Sequence, residues 1–329
     1  MKKFLLQIMG FIITFLLINI LVGYYYNIPV KKSIENKTHK KYKKYSKVHD
    51  TTNTYNTIFL GSSRGYTAYN PVIFDSILDT KSFNMCTGSQ NIIESYYILK
   101  DILEFQKPKT VVYEMFLPSF DTTDDYYHIL SNASFLRSSK VKRELIVNGF
   151  GLSGIANYLS PILRNKLYIK ADIMKLLVGG NSTVTKKKNN SYWVSGYLHE
   201  EKEVDQYTIS NFERMVNLDN TSTSTMKLEY FNKLTNLCKE KGIQLVCVRS
   251  PFPPTRLNNE DDSDNKLVTQ YFNDLCTQNN VEFFDFNSIN NANYRYEDAN
   301  FSDSHHMNYK GANKATMQLA ELIKDYYEK

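Results

Sequence analysis

The chain has 329 residues and a mass of 38.3 kDa, with 40 Lys and Arg against 34 Asp and Glu, a formal charge of +6. A hydrophobic fraction of 42% with 14% aromatics excludes a disordered chain, and four cysteines exclude a disulfide-built scaffold. Ten of the 40 basic residues but only two of the 34 acids, Glu35 and Asp50, lie in the first 50 positions; the body is left near neutral, which excludes a generally basic nucleic-acid-binding domain.

Phe4 to Tyr26 is an uncharged, mostly apolar run in which Gln7, Thr14 and Asn19 are the only strongly polar side chains. As a helix rising about 1.5 Å per residue it is long enough to cross a hydrocarbon core of about 30 Å. Tyr24, Tyr25 and Tyr26 close it as interfacial aromatics do. The length of the run and the lack of a small-x-small cleavage motif after it favour an uncleaved anchor over a signal peptide. Lys2 and Lys3 favour a cytoplasmic N-terminus, whereas the eight lysines of residues 27–50 favour the opposite orientation. Residues 27–50 are rich in Lys, Tyr, Asn and Ser with little apolar periodicity, and read as a flexible polybasic tether, either a lipid-contacting segment or a plain spacer. The division this predicts is an anchor at 1–26, a tether at 27–50 and an α/β domain at 51–329 with an insertion at about 118–225.

The body alternates strand and helix signals. Residues 57–61 form a short apolar run ending in Gly61, then Asn70-Pro71 supplies a helix N-cap and a proline at the first helical position. A second strand is predicted at 82–85, a helix from Asn91 to Phe105, and a third strand at 110–113. Residues from Pro118 to about Thr225 break the rhythm with polar loops, a helical stretch near 141–163, the Lys186-Lys187-Lys188 run and the single tryptophan, Trp193. The alternation resumes with a helix through Leu228, Phe231, Leu234 and Cys238 stopped at Gly242, a strand at 243–248, a helix at 265–278, a strand at 281–285 and a closing helix at 309–327. Five strands alternating with helices predict a parallel sheet covered on both faces, a three-layer α/β sandwich of flavodoxin-like type. In such sheets ligand sites lie beyond the carboxyl ends of the strands.

Those ends carry Gly61-Ser62-Ser63-Arg64, Cys86-Thr87-Gly88-Ser89-Gln90, Glu114 and Arg249-Ser250-Pro251, and a later loop carries Asp303-Ser304-His305-His306. A serine nucleophile needs a base within hydrogen-bond reach and a carboxylate to orient that base. Ser63 directly after the first strand, and Asp303 three residues before His306, supply those types. Each half alone is weak, since Gly-Ser-Ser is a common turn and either histidine can simply pack or cap the last helix. Their placement in the first and last loops of one sheet is the stronger signal.

These two motifs resemble the SGNH (GDSL-like) hydrolase superfamily, which carries a serine shortly after its first strand, typically in Gly-Asp-Ser, and an Asp-x-x-His near its C-terminus. Ser62 in place of the family's Asp resembles a membrane-anchored branch that includes the teichoic-acid D-alanylation protein and alginate O-acetylation proteins. The match covers residues 57–117 and 226–329. It implies Ser63 as nucleophile, His306 as base and Asp303 as its orienting carboxylate, with the Ser63 and Gly88 N–H groups as oxyanion donors. The family's third donor is an Asn side chain after the third strand; Glu114 stands near that place, and when ionised it donates nothing. Asn84, Gln90 and Arg64 are the candidate substitutes. Glu114 equally fits a structural pair with Arg64 or Arg249, and these five residues are the candidate lining of the site.

The Lys186–Lys188 run reads as a solvated loop or a contact for an acidic glycan. Trp193, with Tyr192 and Tyr197, reads as a packing anchor or a sugar-stacking surface. The cysteines Cys86, Cys238, Cys247 and Cys276 read as small core residues. No cofactor and no metal is expected. The function implied is a membrane-anchored serine esterase or O-acyltransferase acting on a cell-envelope polysaccharide, with a membrane-embedded acyltransferase as a candidate partner and the body outside the cytoplasm. The alternative is a catalytically inactive glycan-binding or assembly protein on the same fold.

Overall fold

A computed structural model describes residues 1–35, 39–178, 191–205, 208, 223–259, 262–288 and 295–327. The Lys186–Lys188 run lies outside them. The chain divides into two compact units, Met1–Ser46 with Asp125–Thr185, and Lys47–Asp124 with Lys186–Lys329.

In the first unit, helix α1 (Lys2–Glu35) contains an apolar stretch, Lys2–Tyr26, long enough to span a membrane. It runs past the tyrosines into the stretch expected to be a flexible tether. A second helix, α2 (Lys40–Val48), follows. Within α2, Lys44 and Tyr45 are buried in this unit, and Val48, which falls in the second unit, is buried as well. Tyr45 stacks on Phe135, and the Lys41 ammonium donates to Ser131 Oγ at 3.0 Å. The lysine-rich composition hid a face held by a few large side chains. The unit continues through α6 (Tyr126–Ala133), α7 (Ser139–Glu144), a π-helical turn (Leu145–Gly149), α8 (Gly151–Leu159), α9 (Pro161–Arg164) and α10 (Lys166–Val178). The single helical stretch expected near 141–163 is thus broken, at Gly149 to Gly151 and again at Ser160-Pro161, where proline cannot continue the preceding helix.

The second unit holds the sheet. Strands β1 (Thr57–Leu60), β2 (Ser82–Asn84), β3 (Thr110–Glu114), β6 (Gln244–Arg249) and β7 (Glu282–Asp285) are all parallel, in the order β2-β1-β3-β6-β7. The order reverses between β1 and β3, so the carboxyl ends of these two strands form the switch point where such sheets bind ligands. One face carries Phe59, Val112, Val246 and Val248, packed with Phe74 of α4 (Pro71–Leu78) and Ala315, Leu319 and Ile323 of the last helix, α14 (Tyr309–Tyr327). On the opposite face Tyr113 meets Phe231 of α11 (Thr225–Glu240), and Phe120, following β3, meets Phe272 of α13 (Asp262–Gln278). Between β2 and β3 runs α5 (Ile92–Ile102).

Local chemistry sets these boundaries. The Asn70 side chain accepts the Val72 N–H ahead of Pro71, and Asn91 with Glu94 forms a reciprocal capping box on α5. Gly242 takes a φ of +64° just beyond α11, the left-handed conformation that ends a helix at low steric cost. All four cysteines are buried as thiols, outside any disulfide.

The insertion also forms a hairpin that hydropathy did not predict, β4 (Tyr192–Val194) and β5 (Tyr197–His199). Its two turn residues, Ser195 and Gly196, both have positive φ, as a type I′ turn requires. The Ser195 carbonyl accepts the Asn84 N–H at 2.9 Å, so the hairpin seats on the end of edge strand β2. Tyr197 is fully buried there, Tyr192 is exposed against His199, and the half-buried Trp193 packs against Tyr66. A Cβ at Gly196 would overlap the Asn84 carbonyl oxygen, on a backbone with φ of +83°. Gly196→Ala is therefore expected to cost about 1–3 kcal/mol of stability, read as a lower thermal midpoint; an unchanged midpoint would show that the hairpin does not depend on this contact.

Candidate active site

Gly61 ends β1 with a φ of +139°, and a Cβ there would lie 2.7 Å from Glu114 Cβ. Only glycine lets the end of β1 pass so close to the end of β3. The chain then turns at once into a short helix, α3 (Ser63–Ala68), whose N-cap is Ser62. Sequence reading treats this segment as a loop, because Arg64-Gly65-Tyr66-Thr67-Ala68 is too short to show apolar periodicity. The consequence is geometric: Ser63 is the first helical residue, directly at the switch point.

The second loop comes from 300–308. Asp303 Oδ1 accepts the backbone N–H groups of His305 at 3.0 Å and His306 at 2.8 Å, and its Oδ2 lies 2.8 Å from His306 Nδ1. The other ring nitrogen, His306 Nε2, lies 2.7 Å from Ser63 Oγ, 243 positions away in sequence. Ser63, His306 and Asp303 thus form one continuous chain of hydrogen bonds. Burial alone would raise the Asp303 carboxyl; the hydrogen bond and charge of His306, with the His305 N–H, outweigh it and hold the group well below the usual carboxylate range. Asp303 is therefore anionic whenever the protein is near neutral pH.

Behind these residues sits Arg64, the residue after the serine, with 1% of its surface exposed. Its Nε donates to Glu114 Oε1 at 3.2 Å, Nη2 to the carbonyls of Ser250 and Pro251 at 2.6 and 3.2 Å, and Nη1 to the His305 carbonyl at 3.4 Å. The guanidinium stacks on Phe252 with 3.6 Å to the ring centroid. Desolvation, with help from nearby Arg256 and Arg249 and against the pull of Glu114, lowers its pKa to about 10, so it stays charged. Arg256, in the short helix α12 (Pro254–Asn259), is equally buried and donates to the Ser304 carbonyl at 3.1 Å. Two arginines thus hold successive carbonyls of the histidine loop.

Arg64, Asn84, Gln90, Glu114 and Arg249 are all buried side chains with internal partners. Glu114 accepts from Ser62 Oγ at 2.8 Å and from Arg64, so it braces the serine turn; its partner is Arg64, not Arg249. Arg249 pairs instead with Asp285 at 2.9 Å. Asn84 donates to the carbonyls of Gly65 and Tyr69 and accepts the Cys86 N–H; Gln90 bridges Thr87 and Ser95. Both N–H groups of the Asn84 amide are thus taken up by backbone carbonyls. Gly88, by contrast, lies half-buried in the loop after β2. Arg256 was not singled out in sequence; the only hint is its place four residues after Phe252 beyond the end of β6.

Ligand atoms of Asp303, His305 and His306 lie close enough together to hold a metal ion. The donor set argues for other work: both His306 ring nitrogens face Ser63 and Asp303, and His305 Nδ1 lies 2.8 Å from Ser304 Oγ.

A protein-family model matches residues 197–328, under half of the chain. No curated protein matches it. Among solved structures, a putative acylhydrolase from Bacteroides fragilis is similar at 10% identity and a TM-score of 0.39, over 82% of this chain and 86% of that one. A GDSL-like lipase from Bacteroides thetaiotaomicron is similar at 8% identity and a TM-score of 0.37, over 82% and 88%. These are distant structural likenesses to GDSL-like acylhydrolases, and at such TM-scores they add nothing to the geometry.

His305 supplies a pH test. Desolvation and the neighbouring His306, with Arg64 and Arg256, outweigh Asp303 and lower its pKa to about 4. An unfolded chain binds a proton at this residue below about pH 6.5, whereas the folded chain resists it until about pH 4. Stability from this group therefore rises with pH across that window and falls on acidification. His305→Gln is expected to flatten the dependence of thermal midpoint on pH there; an identical slope in parent and variant would contradict the assignment.

Proposed function

We propose that the chain is a membrane-anchored serine enzyme of the SGNH type, an esterase or O-acyltransferase, acting on a cell-envelope polysaccharide through an acyl-enzyme at Ser63. The observation that carries this reading is the short relay from Ser63 Oγ through His306 to Asp303. In it, Ser63 Oγ attacks the acyl carbonyl carbon while His306 Nε2 takes the hydroxyl proton. Asp303 holds the Nδ1–H tautomer and stabilises the imidazolium that forms. The Ser63 and Gly88 N–H groups face the developing oxyanion. The tetrahedral intermediate collapses as His306 returns the proton to the departing alkoxide, leaving the acyl group on Ser63. Water or a glycan hydroxyl then attacks the acyl carbon as His306 takes its proton, and collapse of this second intermediate breaks the bond to Ser63 Oγ, which takes the proton back from His306 and releases the acid or the acylated glycan.

Two donors rather than three imply modest rates, since loss of one oxyanion donor costs about 10²–10³ in turnover. An activity directed at one acceptor, beside a membrane-embedded acyltransferase that supplies acyl groups, is compatible with that. The apolar span of α1 supports the anchor. The body is placed outside the cytoplasm by analogy with the membrane-anchored branch, against the lysine count; protease added to intact cells should then cleave the body, and protection until lysis would reverse the orientation.

The decisive experiment is labelling with a fluorophosphonate probe, which needs no knowledge of the substrate. Wild type is expected to label at Ser63, and Ser63→Ala and His306→Ala to lose labelling, with turnover of a small acetyl ester falling by about 10⁴-fold or more. Wild type that labels no better than Ser63→Ala would favour the inactive glycan-binding reading, for which the carboxylate of Glu114 near the expected donor position is the supporting feature.

A further inference from the structure

Within the first unit, α1 does not stand alone. Asn19, a polar residue inside the apolar span and 7% exposed, uses its side-chain oxygen to accept the Ser160 hydroxyl at 2.8 Å and the Ile162 N–H at 3.3 Å. One turn on, Gly23 lets Pro161 approach so closely that a Cβ would lie 2.9 Å from its ring. Tyr26 then donates to Asp172 Oδ2 at 2.7 Å. The start of α9 and the middle of α10 are thus fixed against the C-terminal third of the span. Asn19 lies seven residues before Tyr26, which at 1.5 Å per residue puts the Ser160 contact about 10 Å inside the level of that tyrosine.

Helices held at this depth would be expected to bury their apolar side chains against protein if they sat in water. They do the reverse. Leu152, Leu159, Leu176 and Leu177 are 72–86% exposed, and Leu163, Ile173 and Met174 about half. Lys166, Lys170 and Lys175 are also exposed on α10, interspersed with these residues rather than set apart on an opposite face; lysine stems can lie along an apolar layer while their ammonium groups reach its surface.

We propose that α8, α9 and α10 form an interfacial membrane element, with these apolar side chains immersed in lipid at the end of the bilayer where α1 emerges. The proposal rests on the anchor reading of α1. The contacts at Asn19, Gly23 and Tyr26 make the exposed apolar surface continuous with the span, which selects lipid over a soluble partner. It also accounts for Asn19: a polar side chain in hydrocarbon needs a partner, and the serine and backbone N–H that dip beside it provide one.

The test uses the full chain reconstituted in phosphatidylcholine–phosphatidylglycerol vesicles. Leu159→Cys and Leu176→Cys are labelled with a small fluorophore, with Leu16→Cys in the span and Lys107→Cys in the second unit as references; the four native cysteines are buried. Labels at 159 and 176 are expected to be quenched by a lipid-borne nitroxide severalfold more than the label at 107, and to resist aqueous iodide. Iodide access equal to that at 107 would overturn the proposal. Protection from both quenchers would also overturn it, and would mean that a second copy of the chain covers the surface. A label at 16 that escapes the nitroxide would refute the anchor reading itself, which separates that failure from the failure of the interfacial element alone.

Discussion

The arrangement at the end of the sheet depends on burying one guanidinium. A charge removed from water is tolerated only when its donors are met and its charge is balanced. Arg64 meets that demand by drawing together the end of β3 through Glu114, the end of β6 through the carbonyls of Ser250 and Pro251, and the histidine loop through the His305 carbonyl. Ser63 precedes Arg64, so the strand end that presents the hydroxyl also anchors the loop that presents the imidazole. Gly61 and Gly65 serve the same closure: the first admits Glu114, and the second lies where a Cβ would press on Cys86 Sγ.

The parallel sheet and its strand sequence were legible because buried strands leave short apolar runs and helices leave caps. Asn70-Pro71, Asn91 and Gly242 each act as their chemistry suggests. Ser63, Asp303 and His306 were legible as a set because each lies next to a strand end or the final helix, where topology alone brings loops together. What pattern could not supply is how buried polar side chains are spent. Glu114 and Asn84 resemble site residues in sequence and act as braces, while Arg256 carries no sequence mark and holds the loop. A side chain's partners are set by tertiary approach, which periodicity does not encode. Helix α2 was not legible for a related reason: it has few apolar residues, although Tyr45 and Val48 are buried.

The two units place different demands on their sequence. The sheet unit buries most of its large apolar side chains, with exceptions such as Val72 and Leu267, whereas α1 and α8–α10 leave many of theirs exposed. In water the second pattern would be a liability for aggregation. Matched to lipid it becomes a means of fixing depth and rotation, since Asn19, Gly23 and Tyr26 define which side of α1 faces the neighbouring helices.

The four thiols also have a bearing on how this protein meets oxidants. Cys86, Cys238, Cys247 and Cys276 are all reduced and enclosed, and burial raises the pKa of Cys238 to about 12 and that of Cys247 well above its usual value. A thiol kept protonated and out of reach is a poor nucleophile toward disulfides and peroxides. Cys247 is also hydrogen-bonded to Cys276, so the two thiols shield each other inside the core. For Cys238 and Cys247, enclosure and a raised pKa together make reaction with soluble oxidants slow while the chain stays folded.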